Sequence, residues 1–413
     1  MPTQAATRNH AHLKEQPERQ LLRHKVLAYG GFDFPFMLIV TVLLCLGLVM
    51  MFSASYVYAI RHHNGDAYYF IKRQLIFAVL GFAAMLLISK LNLNLLRKLA
   101  IPVLMVAFLL LVVVLFYHTD IRGFRRWIPL FGWTIQPSEI AKVALILFFA
   151  FAMEKYQRPL YNRHAKDNRG FLRRFFAQWG CTLLYMGILL AMVVLIFLEN
   201  HVSGTIITLA IGALLIFIGE QRIPLWCYLL IAGVAVGAVL LVFHNPDILP
   251  EHAAKRIMAF KDPASDPSGS NWQSTQSLLA VGSGGWFGQG FGNSIQKHLY
   301  LPEPMNDFVF AIVCEELGFL GAFCIVLLFI ALVWRGFMIA LHTKERFGTL
   351  LVIGIVLQIG LQTALNIGVV TAVLPNTGIP LPFFSYGGTA LLILLAEMGI
   401  VLAVSRVSRE IKK

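Results

Sequence analysis

Ten apolar runs, each of about the twenty residues that a helix needs to cross the hydrocarbon core of a bilayer, constrain this chain more than any motif in it. They lie near 34–57, 71–89, 99–117, 136–153, 180–199, 203–219, 224–243, 308–334, 347–371 and 388–405. The runs are continuous rather than alternating, so they read as helices and not as barrel strands. With 58% hydrophobic and only 13% charged residues, the 413-residue chain lacks the charged surface of a soluble globule. The expected fold is an all-α polytopic membrane protein of about ten transmembrane helices, with a large extracytoplasmic loop between the seventh and eighth.

The formal charge of +13 raises nucleic acid as a partner, but no basic patch is interleaved with a readout module. In a membrane chain the excess reads as positive-inside topology and attraction to anionic lipid. Basic residues gather in the N-terminal tail (Arg8, Lys14, Arg19, Arg23, Lys25), the second connection (Lys90, Arg97, Lys98), the fourth (between Lys155 and Arg174), the eighth (Arg335, Lys344, Arg346) and the C-terminus (Arg406, Arg409, Lys412, Lys413). Both termini are therefore expected in the cytoplasm. The tail has no apolar core or small-residue cleavage site, so it reads as a cytoplasmic segment and not a cleaved leader. The expected organisation is a tail over 1–32, a transmembrane domain over 33–406 and a second tail over 407–413. Cys45, Cys181, Cys227, Cys314 and Cys324 fall in apolar runs without metal or redox spacing and read as small core residues.

This topology places the longest polar interruption, 245–307, outside the cell. A loop of that length is more than a connector, and its Gly and Ser content lets backbone turn tightly and approach a ligand. Asp262 and Asp266 each precede a proline and read as turn residues. Asp307 differs, because the apolar run FVFAIV follows it at once. A carboxylate at the boundary of water and hydrocarbon is easily desolvated, which suits a proton acceptor. Glu315 and Glu316 fall inside the eighth span; one of them reads as orienting a cation or a loop backbone, and neither reads as catalytic.

The third connection carries Arg122, Arg125 and Arg126 on the outer side, against the charge trend. They fit the binding of a phosphate or pyrophosphate, and equally headgroup anchoring with Trp127 and Trp133 in an interfacial belt. Glu139 and Lys142 follow, three residues apart on one helix face at the start of a span. Ionisable groups at that depth point to a functional site, or to a self-neutralising pair that locks two helices. Glu199, Asn200 and His201 mark a tight outer turn, with His201 read as structural. The ninth connection has no charge, yet Pro375, Gly378, Pro380, Pro382, Gly387 and Gly388 break any helix through it. Uncharged broken backbone between spans reads as a packed or re-entrant segment.

Three stretches, NTGIPLPFFSYGGTALL (376–392), GQGFGNSIQKHLYLPEPMNDFVFAIVCEELG (288–318) and RGFRRWIPLFGWTIQPSEIAK (122–142), together resemble the SEDS family of bacterial cell-wall polymerases, FtsW, RodA and SpoVE. The wording GNSIQKHLYLPE and the NTG before IPLP is more similar to the FtsW and SpoVE type. The resemblance implies a peptidoglycan glycosyltransferase acting on lipid II in the bacterial cytoplasmic membrane. It matches Asp307 to the family's essential aspartate, Glu139 and Lys142 to its QPxE-x-x-K pair, and Trp127 to its Arg-Trp position. Gln296, Lys297, Pro302, Glu303, Ser385, Gly387 and Gly388 fall in its loop and C-terminal motifs. It also implies a class B penicillin-binding transpeptidase and divisome or related wall-synthesis proteins as partners, and a divalent cation, magnesium or manganese, with no organic cofactor. The chain departs from the family at Met305-Asn306, where many members have His-Thr, and at residues 200–205, where many have QPDLGT. A lipid II flippase and a non-catalytic scaffold are the competing functions.

Overall fold

The computed structural model describes residues 31–117, 126–130, 133–156, 171–219, 245, 254, 257, 258, 260, 261 and 271–410, with 171–179 and 409–410 as backbone only. The expected seventh span, Arg122, Arg125, Cys227, Asp262 and Asp266 lie outside the described residues. Within them run ten helices and one hairpin. The order is α1 Phe34–His62, α2 Tyr69–Ile88, α3 Leu93–Phe116, β1 Ile128–Leu130, β2 Trp133–Ile135, α4 Pro137–Lys155, α5 Phe171–Leu198, α6 Val202–Gly219, α7 Trp272–Ser283, α8 Val309–His342, α9 Arg346–Val370 and α10 Gly388–Glu410. Eight of these, all but α4 and α7, are long and apolar enough to cross a membrane.

The exception of α4 has a physical cause. Its nineteen residues hold Glu139, Lys142, Glu154 and Lys155, more charge than a lipid-facing helix tolerates. The helix is instead enclosed by α3, α5, α6, α9 and α10 and buries residues on every side. At one end of the bundle, Arg97 pairs with Glu154 at 2.8 Å and Glu345 at 2.7 Å, joining α3 to α4 and to the start of α9. At the same end Arg335 grips both oxygens of Asp33, at 3.0 and 2.8 Å, while Asp33 caps α1 by accepting from Phe36 N.

The opposite end is less regular, and two segments make it so. α8 runs past its expected end at 334 and is broken at Gly318, where φ is 68° and ψ is −170°. The break frees backbone groups, and the segment after α7 takes them up: Gln289 N donates to Glu315 O (2.9 Å), Gly290 N to Glu316 O (3.1 Å), and Phe319 N to Gly285 O (2.8 Å). A Cβ on Gly318 would stand 2.3 Å from Gly288 N, so the two strands of backbone meet only because neither carries a side chain there. The second segment, 371–387, is non-helical and buries Ile379, Leu381, Phe383 and Phe384 in the bundle. It is a packed segment, and α1 makes room for it at Gly47, where a Cβ would lie 2.3 Å from Phe383 O.

The cysteines correct one expectation. Cys314 is buried, but Cys45 and Cys324 are exposed. The outward face of a membrane helix is apolar too, so an apolar run does not tell the core from the lipid side.

Replacing Gly318 by Ala combines a left-handed backbone with a clash against main chain. We expect a loss of at least about 2 kcal/mol of stability, read as a lower melting temperature in detergent. Gly282→Ala in α7, where a Cβ would meet nothing within 4 Å, is expected to be neutral or to stabilise by about 0.5 kcal/mol.

Candidate functional site

A cavity of about 590 Å³ opens among the β-hairpin, the loop before α8 and the packed segment before α10. Its wall includes Asp307, Glu303, Arg126, Trp127, Glu139 and Lys142, so residues read from three separate motifs converge on one space.

Asp307, half-buried, is held through its backbone. Asn366 Nδ2, projecting from α9, donates to Asp307 O and to Ile379 O, both at 2.7 Å, and Tyr386 N donates to Met305 O at 2.8 Å. The aspartate is thereby fixed to the packed segment. That segment is itself secured: Ser385 Oγ accepts from Leu381 N (2.7 Å), Gln74 Nε2 donates to Ser385 O (3.3 Å), and Gly387 N donates to Gln74 Oε1 (3.2 Å). Gly388 opens α10 against the ring of Phe77. Asn306, at the position where the family pattern has another residue, donates to Glu303 Oε2 at 3.0 Å.

In the same cavity Lys142 Nζ lies 2.9 Å from Glu139 Oε2, and the lysine side chain is only 2% exposed. Both residues belong to α4, so the pair does not join two helices; it neutralises charge within one helix and faces the cavity. Arg126 donates to Asn200 O. His201 does more than shape a turn: its Nδ1 lies 3.1 Å from Ser138 Oγ beside Glu139, and it lines the cavity. Burial, with Arg126 and Lys142 nearby, holds its pKa well below the ordinary value, so it is a neutral hydrogen-bonding group.

The remaining motif residues build the floor of the loop. Glu315 accepts from Ile295 N at 2.9 Å, from Gln296 N at 3.3 Å and from Ser294 Oγ. Glu316 pairs with Lys297 Nζ at 2.8 Å and accepts from Ser53 Oγ on α1 at 2.7 Å, while the same ammonium donates to Gly292 O at 2.6 Å. Pro302 O accepts from Gln273 Nε2 at 3.2 Å. Glu315 thus binds loop backbone directly, whereas Glu316 holds the Lys297 ammonium and the Ser53 hydroxyl.

Several cavity residues escaped sequence reasoning. Arg73 lies 4.4 Å from the Tyr69 ring centre and 5.6 Å from that of Trp133. It sits in the first turns of α2 and lines the cavity with Arg126. Glu397, Gln358 and Gln362 also line the cavity. They are polar groups within apolar spans, the signal that singled out Glu139. Among the described residues no three His, Cys, Asp or Glu side chains stand together as metal ligands.

Residues 35–410 match the family model described as cell cycle protein, FtsW/RodA/SpoVE. The stage V sporulation protein E of Bacillus subtilis strain 168 is 38% identical over 379 residues, 91% of this chain and 98% of that protein. The probable peptidoglycan glycosyltransferase FtsW of Geobacter sp. strain M18 is 36% identical over 380 residues, 91% and 97% of the two chains. Among solved structures, a chain from work on the structural coordination of polymerization and crosslinking by a peptidoglycan synthase complex has a TM-score of 0.71 at 27% identity, over 92% of this chain and 99% of that one. The rod shape determining protein RodA of Thermus thermophilus gives 0.62 at 27% identity, over 91% and 97%.

One buried residue in the turn before His201 has a testable pH signature. α5 ends at Leu198, leaving Glu199 in the turn, buried, with neither carboxyl oxygen hydrogen-bonded among the described residues. Burial pushes its pKa up to about 8, against the pull of Arg126. A raised acid pKa means that the folded state keeps a proton that the unfolded chain has lost. The associated stability is full below the ordinary carboxylate pKa and is lost as pH rises through about 8. The melting temperature of Glu199→Gln is expected to exceed that of wild type at pH 8 and to converge with it in acid; parallel curves would contradict this.

Proposed function

The chain belongs to the FtsW, RodA and SpoVE family of cell cycle proteins, and from that premise we propose that it extends glycan strands from lipid II with Asp307 as the general base. It is a peptidoglycan glycosyltransferase and a multi-pass membrane protein. Lipid II, an undecaprenyl-pyrophosphate-linked disaccharide-peptide, is the proposed substrate, and the cavity volume suits a glycosyl-pyrophosphate headgroup.

The observation that carries this reading is that Asp307 shares one cavity with Lys142 and Arg126. Glycosyl transfer from a pyrophosphate needs a base at the attacking hydroxyl and positive charge at the leaving group. In the proposed step the Asp307 carboxylate takes the proton from the acceptor 4-hydroxyl, whose oxygen bonds to the donor's anomeric carbon. The bond from that carbon to the pyrophosphate oxygen breaks, its electron pair leaves with the pyrophosphate, and the anomeric centre inverts. Arg126, Lys142 and Arg73 balance the charge that develops; Arg122 and Arg125 belong to the same proposed group but lie outside the described residues. Trp127 is placed to pack on a sugar face, and Glu139 to orient the lysine. A magnesium or manganese ion enters the proposal only as a companion of the pyrophosphate, since no preformed cluster of three ligands exists among the described residues.

The orientation belongs to the same proposal: the cavity faces outward and both termini lie in the cytoplasm, as the distribution of Lys and Arg favours. A class B penicillin-binding transpeptidase is the proposed partner, with the divisome or a related wall-synthesis assembly around it. Support comes from the likeness to a chain of a peptidoglycan synthase complex that couples polymerization with crosslinking. Against a flippase stands the clustering of the site at one end, while ion pairs join the helices at the other.

Purified protein with its transpeptidase is expected to convert lipid II into strands, and Asp307→Asn to slow this at least about 100-fold. An unchanged rate in that variant removes Asp307 as the base; no strands from wild type shifts the function to flippase or scaffold. Asn366→Leu, which releases the Asp307 backbone, is expected to lower kcat about 10- to 100-fold while lipid II affinity stays within about threefold.

A further inference from the structure

His201 takes no part in the step proposed above, yet it lies in the stretch where this chain departs from the common family pattern, and it is 6% exposed on the cavity wall. Its ring is held on two sides. Nδ1 stands 3.1 Å from Ser138 Oγ. A Cβ on Gly204 would lie 2.5 Å from Nδ1 and 2.7 Å from Cε1, so this edge of the ring packs where only a glycine leaves room. The edge left over carries Nε2, which has no hydrogen-bond partner among the described residues.

Contacts around the ring join it to two cations of the cavity. Ser138 precedes Glu139, whose carboxylate holds Lys142 Nζ at 2.9 Å, and Asn200, the residue before His201, accepts through its carbonyl from Arg126. Because the lysine engages Glu139, what this group presents to a ligand is a set of donors, which suits an anion with several acceptor oxygens. Burial beside two cations keeps the imidazole neutral, so it adds a hydrogen bond without a third charge. A neutral imidazole carries one hydrogen, and a hydroxyl that donates to Nδ1 leaves that hydrogen on Nε2. We propose that His201 binds the pyrophosphate leaving group through Nε2–H, with Ser138 as the positioning residue that fixes this tautomer. The proposal rests on the reading that Arg126 and Lys142 face the pyrophosphate.

Binding of farnesyl pyrophosphate to the full chain in detergent is measured by calorimetry. His201→Phe keeps a ring and removes the donor, and its affinity is expected to fall about tenfold. His201→Gln, whose amide accepts from Ser138 and donates to the ligand, is expected to stay within about threefold of wild type. Arg126→Gln tests the underlying reading and is expected to bind about tenfold more weakly. If Arg126→Gln loses affinity and His201→Phe does not, the role of His201 is overturned and the pyrophosphate reading stands; if neither loses affinity, both fall. Should His201→Phe melt below wild type, the decision falls to 15N spectra of histidine-labelled wild-type protein, in which His201 is assigned from the signal missing in His201→Gln. Saturation with farnesyl pyrophosphate is expected to give a protonated Nε2 and an unprotonated Nδ1 at His201, and Ser138→Ala to mix the two tautomers. An unprotonated Nε2 in the wild-type complex overturns the proposal.

Discussion

An ammonium and a carboxylate 2.9 Å apart on α4, enclosed by five other helices, set the terms for the rest of this molecule. Alone in such surroundings either charge costs several kcal/mol, and removing one partner of a buried pair typically costs about 3–5 kcal/mol. The pair therefore needs a helix that never faces lipid, which is why α4 lies at the centre. It also needs polar neighbours, which Ser138, His201, Gln358 and Glu397 supply. A cavity wall with fixed charge in a low-dielectric bundle is the result, and such a wall interacts with an anion far more strongly than an exposed lysine does.

The Asp307 side of the cavity depends on irregular backbone. Asp307 stands just before a helix that breaks at Gly318, beside a packed segment that is not helical at all. Non-helical backbone inside a bundle is tolerated only where its polar groups are satisfied, and here they are satisfied by one another. The loop after α7 bonds the broken α8, Glu315 and Glu316 hold the loop, and Asn366 joins Asp307 to the segment before α10. The rigidity of the site thus comes from hydrogen bonds that a regular helix would have kept to itself.

Much of this was legible in the sequence, for reasons that can be named. Bilayer thickness sets span length, so the eight long apolar helices fell where the apolar runs are, and the charged α4 was still recognisable by its run. Asp307, Arg126, Glu139 and Lys142 stood out because ionisable groups at an apolar boundary are costly. The kink at Gly318 and the helix Trp272–Ser283 did not, since a glycine- and serine-rich stretch carries no periodicity. Nor could the sequence say which face of a span meets lipid, and so Cys45 and Cys324 read as core. Glu397 and Gln358 carry the same signal as Glu139, but no motif surrounds them, and Arg73 joins the site only through the packing that brings α2 to the cavity.

In the proposed mechanism Asp307 acts on the proton of the acceptor and is not what retains the substrate. The most direct measurement is the equilibrium affinity of Asp307→Asn for lipid II beside that of wild type. Affinities within about threefold of each other are expected, in a variant whose strand formation is at least about 100-fold slower. An affinity that falls as far as the rate of strand formation would contradict it and make Asp307 a binding residue.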